Sequence, residues 1–155
     1  FLDGALMTRA VIDDSYLASA TLLGVYGPYL TVTNSNLTNV PLIGSTFNYA
    51  TFGPSTNLNG ANLTRSSLIG ATFTDVSLNG TTLGSSLLQN AVFSNAGLTG
   101  TLFNYSDLSN ARFTNSDLTG ANFTGANTSQ VLWNNVICPD GTRSTSHGDT
   151  CIGHL

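Results

Sequence analysis

The chain has 155 residues and a mass of 16.1 kDa, the size of one domain. Only 8% of its residues are charged, all Asp or Arg, and the net charge of −4 argues against nucleic-acid binding through phosphate contacts, which needs clustered Lys and Arg. A hydrophobic content of 41% is enough for a core and argues against disorder, and no apolar run approaches the ~18–20 residues of a membrane span.

From the N-terminus a large apolar residue recurs every five positions: Leu2, Met7, Ile12, Leu17, Leu22, then Val32, Leu37, Leu42, Phe47 and Phe52, with Gly27 the one gap. Two residues before these centres stand small or β-branched residues such as Ala5, Ala10, Ser15, Ala20 and Val25, with Leu30 the exception. Residues 22–37 fit worst, because Gly27 occupies a centre and Pro28 follows it; a local bulge or widened coil is expected there. Around Gly53–Pro54–Ser55 one extra residue shifts the frame. The series then runs from Leu58 through Leu63, Leu68 and Phe73 to Phe123 and Trp133, broken only by Thr128.

A period of five fits neither a helix nor a strand. It fits a short extended side with two inward residues, large and small, followed by a corner where Gly, Asn and Asp are favoured. A longer period of twenty is also present. Gly60, Gly80, Gly100 and Gly120 form one corner column, and Asp75, Asn95, Asn115 and Asn135 another. Phe73, Phe93, Phe113 and Trp133 form an aromatic column of centres, which Phe52 joins if the extra residue is looped out; Leu58, Leu78, Leu98 and Leu118 form an aliphatic one. Four five-residue sides per turn predict a square coil, stacked at the ~4.8 Å strand spacing into about six and a half coils and a rod of roughly 30 Å. A single coil buries too little to offset the entropy of ordering twenty residues, so stability must come from stacking neighbours.

Ala61–Asn62–Leu63, Ser106–Asp107–Leu108, Ser116–Asp117–Leu118 and Ala121–Asn122–Phe123 follow an A(D/N)Lxx pattern. The array resembles the pentapeptide-repeat family, over residues 1–133. The resemblance implies an all-β fold, a right-handed quadrilateral β-helix of about six to seven coils.

Residues 134–155 leave the repeat and form a tail holding both cysteines, Cys138 and Cys151. The favoured reading is a disulfide that closes a loop of about 14 residues, contributes about 3 kcal/mol on the chain-entropy model and pins a small cap over the last coil. It would place the protein in an extracellular or other oxidising compartment: secreted, periplasmic or at the cell surface. The tail is also similar to the CPDGT…GxTC ending of some exported members of that family. Two metal readings compete: zinc held by Cys138, His147, Cys151 and His154, whose spacing matches no finger pattern, and a weaker calcium loop from Asp140 and Asp149. At the other end Leu2 and Ala5 are already in register, so the first coil is expected to present an open edge, a template for another chain.

No catalytic motif, cofactor site or metal site is assigned, and an enzyme is not expected. A Ser144–His147–Asp149 grouping lies in a tail too turn-rich to hold a triad. An outward column of Arg9, Tyr29 and Tyr49, with Leu6 and Tyr26 on the same side, is a candidate surface for a protein or glycan; the competing reading is that the rings only stabilise neighbouring coils. Asn36, Asn62, Asn104, Asn122 and Asn127 begin N-x-S/T sequons, which arise by chance in such a composition, and none is assigned a glycan.

The expected function is a non-enzymatic exported structural or interaction module that associates with itself through its solenoid ends, as a dimer or filament. The family suggests one alternative, a DNA mimic acting on topoisomerases such as gyrase, although eight Asp are spread thinly here. A weaker alternative is an ice- or surface-binding protein. Columns such as Thr64, Gly84, Asn104 and Thr124 offer it no unbroken Thr array.

Overall fold

The computed structural model describes residues 1–18 and 20–155. Seven short strands, β1 (Val11–Asp13), β2 (Thr31–Thr33), β3 (Thr51–Phe52), β4 (Thr72–Thr74), β5 (Val92–Ser94), β6 (Arg112–Thr114) and β7 (Leu132–Asn134), lie side by side in chain order. All pair in parallel, Ile12 opposite Val32 and Phe73 opposite Phe93, so one coil takes twenty residues. Isolated parallel bridges mark the other three sides, such as Tyr26 with Thr46, Asn57 with Ser77 and Thr82 with Leu102. The result is a four-sided β-solenoid.

Between β3 and β4 the offset becomes 21, Phe52 facing Phe73, and so it is for Asn36 with Asn57 and Pro41 with Asn62. The added residue sits at Gly53–Pro54. The Gly53 N–H still donates to Val32 O, but the Asn34 N–H reaches forward to Pro54 O. One residue is looped out at the corner, and Phe52 keeps its place in the stack.

The pentad follows from local hydrogen bonding. The carbonyl of a centre accepts the N–H three residues on, as in Ala61 N–H to Leu58 O at 2.9 Å and Ala71 N–H to Leu68 O at 3.0 Å, which closes a β-turn at the corner. The third residue of such a turn has positive φ, as at Gly60 (67°) and Asn90 (60°), which is why Gly and Asn fill the corner columns. The A(D/N)L preference has its own cause: Asn62 Oδ1 accepts both the Thr64 N–H at 3.0 Å and its hydroxyl at 2.6 Å, and Asp117 serves Thr119 likewise. Asn36, Asn62, Asn122 and Asn127 spend their side-chain oxygens this way.

Inside, the centres form columns. Phe52, Phe73, Phe93, Phe113 and Trp133 stack with centroids 4.7–5.0 Å apart and planes within 8°. Phe103 and Phe123 meet that stack edge-on, the preferred alternative to a face-to-face arrangement. The small inward positions can be hydroxyls because the neighbouring coil satisfies them: Ser86 Oγ donates to Leu63 O at 2.8 Å, and Thr81 and Thr101 donate to Leu58 O and Leu78 O.

The bulge expected over residues 22–37 is absent. Gly27 donates in register to Thr46 O, and Leu30 N–H closes the usual turn to Gly27 O. The missing side chain is replaced from neighbours: a Cβ on Gly27 would lie 3.3 Å from the Phe47 ring and 3.5 Å from Leu30 Cβ. The oversized Leu30 and the empty centre at Gly27 compensate each other, so volume is conserved without distorting the backbone.

The two ends differ. In the first coil Met7, Ile12 and Leu17 are only partly buried, whereas their counterparts in later coils are enclosed. At the other end the tail turns back. Arg143 pairs antiparallel with Ile137, Cys138 N–H donates to Thr142 O, and Ser144 N–H donates to Val136 O. A short 3-10 turn follows (Ser144–His147), and a Cys138–Cys151 disulfide closes the segment.

Candidate interaction surfaces

Arg9, Tyr29 and Tyr49 do form a column. Each occupies a corner with φ of 57–60°, so their side chains rise along the rod axis. The Arg9 guanidinium lies 5.6 Å from the Tyr29 centroid, and Tyr29 stacks on Tyr49 at 5.4 Å and 15°. Tyr49 in turn covers Gly70, where a Cβ would fall 2.7 Å from its ring. Both faces of each ring are therefore occupied, leaving edges and hydroxyls outward. Tyr26 stands on the adjoining side, bridged between Leu6 and Thr46, with half its surface exposed. Leu23 and Ile43 are exposed one corner away and extend the apolar area over the first three coils. The pentad reading missed these two; their period-twenty column, Asp3, Leu23, Ile43, Thr64, would have found them.

A second surface corrects an expectation. The strand side carries an uncharged Thr array: Thr31, Thr51 and Thr72 in one column, and Thr33, Thr74, Ser94 and Thr114 in the next. Where Gly53 interrupts the second column, the Thr33 methyl leans over it, 2.8 Å from where a Cβ would stand. The Thr-x-Thr triplets at Thr31–Thr33 and Thr72–Thr74 carry the signal; Thr64 and Thr124 belong to another side of the coil. Asp13 bounds the array, accepting from the Thr33 hydroxyl at 2.7 Å and from Asn34 at 3.0 Å, and these bonds lower its pKa. Arg112 bounds it at the other end.

The later part of the repeat matches the Pentapeptide repeats family in eight copies, over residues 55–84 and 91–127. Over those residues the chain is similar to that family. Its fold is similar to that of HetL, a pentapeptide repeat protein involved in heterocyst differentiation regulation from the cyanobacterium Nostoc sp. strain PCC 7120, with a TM-score of 0.64 and 23% identity over 91% of this chain and 75% of that one. It is also similar to a pentapeptide repeat protein from the Arabidopsis thaliana thylakoid lumen, with a TM-score of 0.51 and 26% identity over 66% of this chain and 68% of that one. QnrB1, a plasmid-mediated fluoroquinolone resistance protein, superposes with a TM-score of only 0.34 at 13% identity, over 84% of this chain and 77% of that one, which carries no argument about function. No curated protein matches the sequence.

The tail rules out the four-ligand zinc reading, because Cys138 and Cys151 are consumed by their disulfide. Ser144 is fully buried and its Oγ accepts the Val136 N–H at 3.2 Å, so it serves the cap and forms no triad. Asp140 accepts the Thr142 hydroxyl at 2.6 Å and N–H at 2.9 Å, and lies 2.6 Å from His154 Nδ1; these bonds hold its pKa at about 2. His154 stacks on His147 with centroids 3.8 Å apart. Among the described residues no group of three His, Cys, Asp or Glu side chains converges on a metal position, and no helix is long and apolar enough to cross a membrane.

Proposed function

We propose that the chain is a non-enzymatic interaction module of an oxidising, extracellular-type compartment, and that it associates with itself through its first three coils. The observation that carries this reading is the apolar outward surface of the first three coils, where Leu6, Leu23 and Ile43 are exposed. A second copy would cover it, and pairing like surfaces closes a two-fold dimer. The face formed by Arg9, Tyr26, Tyr29 and Tyr49 is the accompanying candidate surface for a second protein or a glycan.

Analytical ultracentrifugation and electron microscopy over a concentration series test this. Dimers that Leu23→Asp converts to monomers, with β-structure retained by circular dichroism, are expected. A monomer at high concentration overturns the self-association reading. Fibres would restore the filament version.

The Thr array favours a second reading, adsorption to an ordered, uncharged hydrogen-bonding surface such as ice. Its columns repeat at ~4.8 Å along the rod and about 6.7 Å across a strand, and the Phe stack behind them keeps the face rigid. Thermal hysteresis that disappears in Thr72→Lys would support it, and no hysteresis removes it. The topoisomerase reading gains nothing from the geometry, since Asp13, Asp107 and Asp117 lie on three different sides.

A further inference from the structure

One corner column is polar wherever the coil alone decides it. The column that begins at Asp3 carries Thr64, Gly84, Asn104 and Thr124 in the later coils, so folding asks for no apolar side chain there. In the second and third coils Leu23 and Ile43 occupy it, 40% and 37% exposed. They sit on neighbouring rungs, which the Gly24 N–H joins by donating to Ile43 O at 3.0 Å. The corner beside them is bare, because a Cβ on Gly24 or Gly44 would meet nothing within 4 Å. Leu6 and Tyr26, both exposed, stand on the far side of that corner and bridge to each other in register. The apolar strip stops after three coils, where Arg65 takes the position of the glycines.

Its two charges stand at its two ends. Over the first four coils these three columns hold Asp3 and Arg65 and no other charged residue. Asp3 Oδ1 accepts the Leu23 N–H at 2.9 Å, which seats the carboxylate next to the apolar pair. Among the described residues neither Asp3 nor Arg65 enters an ion pair. This placement decides how a like surface can meet the strip. In parallel packing each coil faces its own equivalent, so Asp3 meets Asp3 and Arg65 meets Arg65, and like charges set opposite each other oppose association. In antiparallel packing, about a two-fold axis that crosses the rod between Leu23 and Ile43, the same charges meet as two opposite pairs. Exposed pairs of this kind add little affinity, so their effect is to select the orientation while the apolar strip supplies the contact.

We propose that two copies of the chain pack antiparallel along this corner, Leu23 of each against Ile43 of the other, with Asp3 of each copy facing Arg65 of its partner copy. The inference rests on the self-association reading above and adds the direction in which the two rods run and the residues that choose it. The bare corner at Gly24 and Gly44 lets the two backbones approach closely enough for the flanking side chains to interlock.

The test is a charge swap in the disulfide-intact chain, with the dimer dissociation constant read by sedimentation at low salt and the fold checked by circular dichroism. Arg65→Asp alone turns both pairs from attractive to repulsive and should weaken the dimer about tenfold, as should Asp3→Arg alone. The double variant, Asp3→Arg with Arg65→Asp, restores two opposite pairs and should return to within about threefold of the wild-type constant. Orientation is read separately from a nitroxide on Ser85→Cys, which lies in the corner column one coil beyond Arg65. Antiparallel packing separates the two labels by five coils, about 24 Å at the ~4.8 Å spacing, whereas parallel packing sets them side by side. A wild-type chain that stays monomeric removes the self-association reading and this inference with it. A dimer that both single variants leave unchanged, that the double variant fails to recover, or whose labels lie within about 15 Å overturns the antiparallel register while the association itself stands.

Discussion

The coil stack and the tail are held together by different rules. In the stack every side chain has an equivalent twenty or twenty-one residues away, and its energy comes from belonging to a column. Phe93 shows this: it touches Phe73 and Phe113 face to face and Phe103 edge-on, and it is fully buried. In the tail nothing repeats. Ser144 is buried because one backbone N–H uses its oxygen, and Asp140 is placed by one threonine and one histidine. Repetition spreads stability over many near-identical contacts. The tail concentrates it in a disulfide and a few directed bonds, so the two regions should fail separately and for different reasons.

The largest expected effect breaks the column. Phe93→Ala removes a ring from the middle of the stack and should cost about 3–5 kcal/mol, because the neighbours at 4.7–4.8 Å are fixed by strand spacing and cannot close the gap. Urea unfolding read by Trp133 fluorescence measures it. A loss below about 1 kcal/mol would mean that the coils adjust their spacing, and the picture of rigid columns would be wrong.

Removing the disulfide as Cys138→Ser with Cys151→Ser comes next, at about 2–5 kcal/mol. Here the location matters more than the size. Amide exchange should accelerate at Cys138, Ser144 and Asp149, whose N–H groups bond within the tail, while Phe103 and Leu83 in the stack stay protected. Uniform acceleration along the chain would show that the tail acts as the nucleus of the solenoid, and the two regions would be one cooperative unit.

How much of this was legible in the sequence follows the same division. The stack was readable down to its register, because a residue repeated in a column announces its own environment. Even the extra residue at Gly53–Pro54 appeared as a shift in the count. Gly27 misled the reading for a physical reason: an empty centre suggests a backbone defect, but a ring from the next coil and Leu30 filled the volume, and the pentad has no symbol for compensation between coils. The Thr array is hard to read because Gly53 and Val92 interrupt its columns. In the tail only the cysteine pair was legible. The Asp140–His154 contact joins residues fourteen apart through a fold that no period predicts.

A smaller substitution sharpens the comparison within the stack itself. Gly70→Ala should cost about 1–2 kcal/mol, since φ there is +65° and a Cβ would meet the Tyr49 ring at 2.7 Å. Gly80→Ala provides the control, with the same φ and nothing within 4 Å. The difference between the two isolates the displaced ring from the backbone strain. A difference near zero would show that Tyr49 swings aside freely and that the Arg9–Tyr29–Tyr49 column contributes little to holding its coils.

The smallest effect is electrostatic and belongs to the tail. Asp140 has a folded pKa of about 2, set first by the Thr142 hydroxyl, then by its N–H and by His154, against about 3.9 for an unperturbed Asp. A depressed carboxylate stabilises the folded tail fully above its unfolded pKa, and that contribution is lost as pH falls from about 4 toward about 2. Cap opening, followed by amide exchange at Thr142 and His154, should therefore increase through that window. Asp140→Asn should remove this acid dependence while leaving the exchange of Ala61 and Leu83 in the stack unaltered. Asp107, whose burial raises its pKa but whose bonds from Ser109, Gln89 and Asn127 lower it further than burial raises it, would give the stack a weaker acid response of its own. If acid loosens coils and cap together in the Asp140→Asn chain, the carboxylates of the stack govern the transition, and the tail's independence does not extend to its electrostatics.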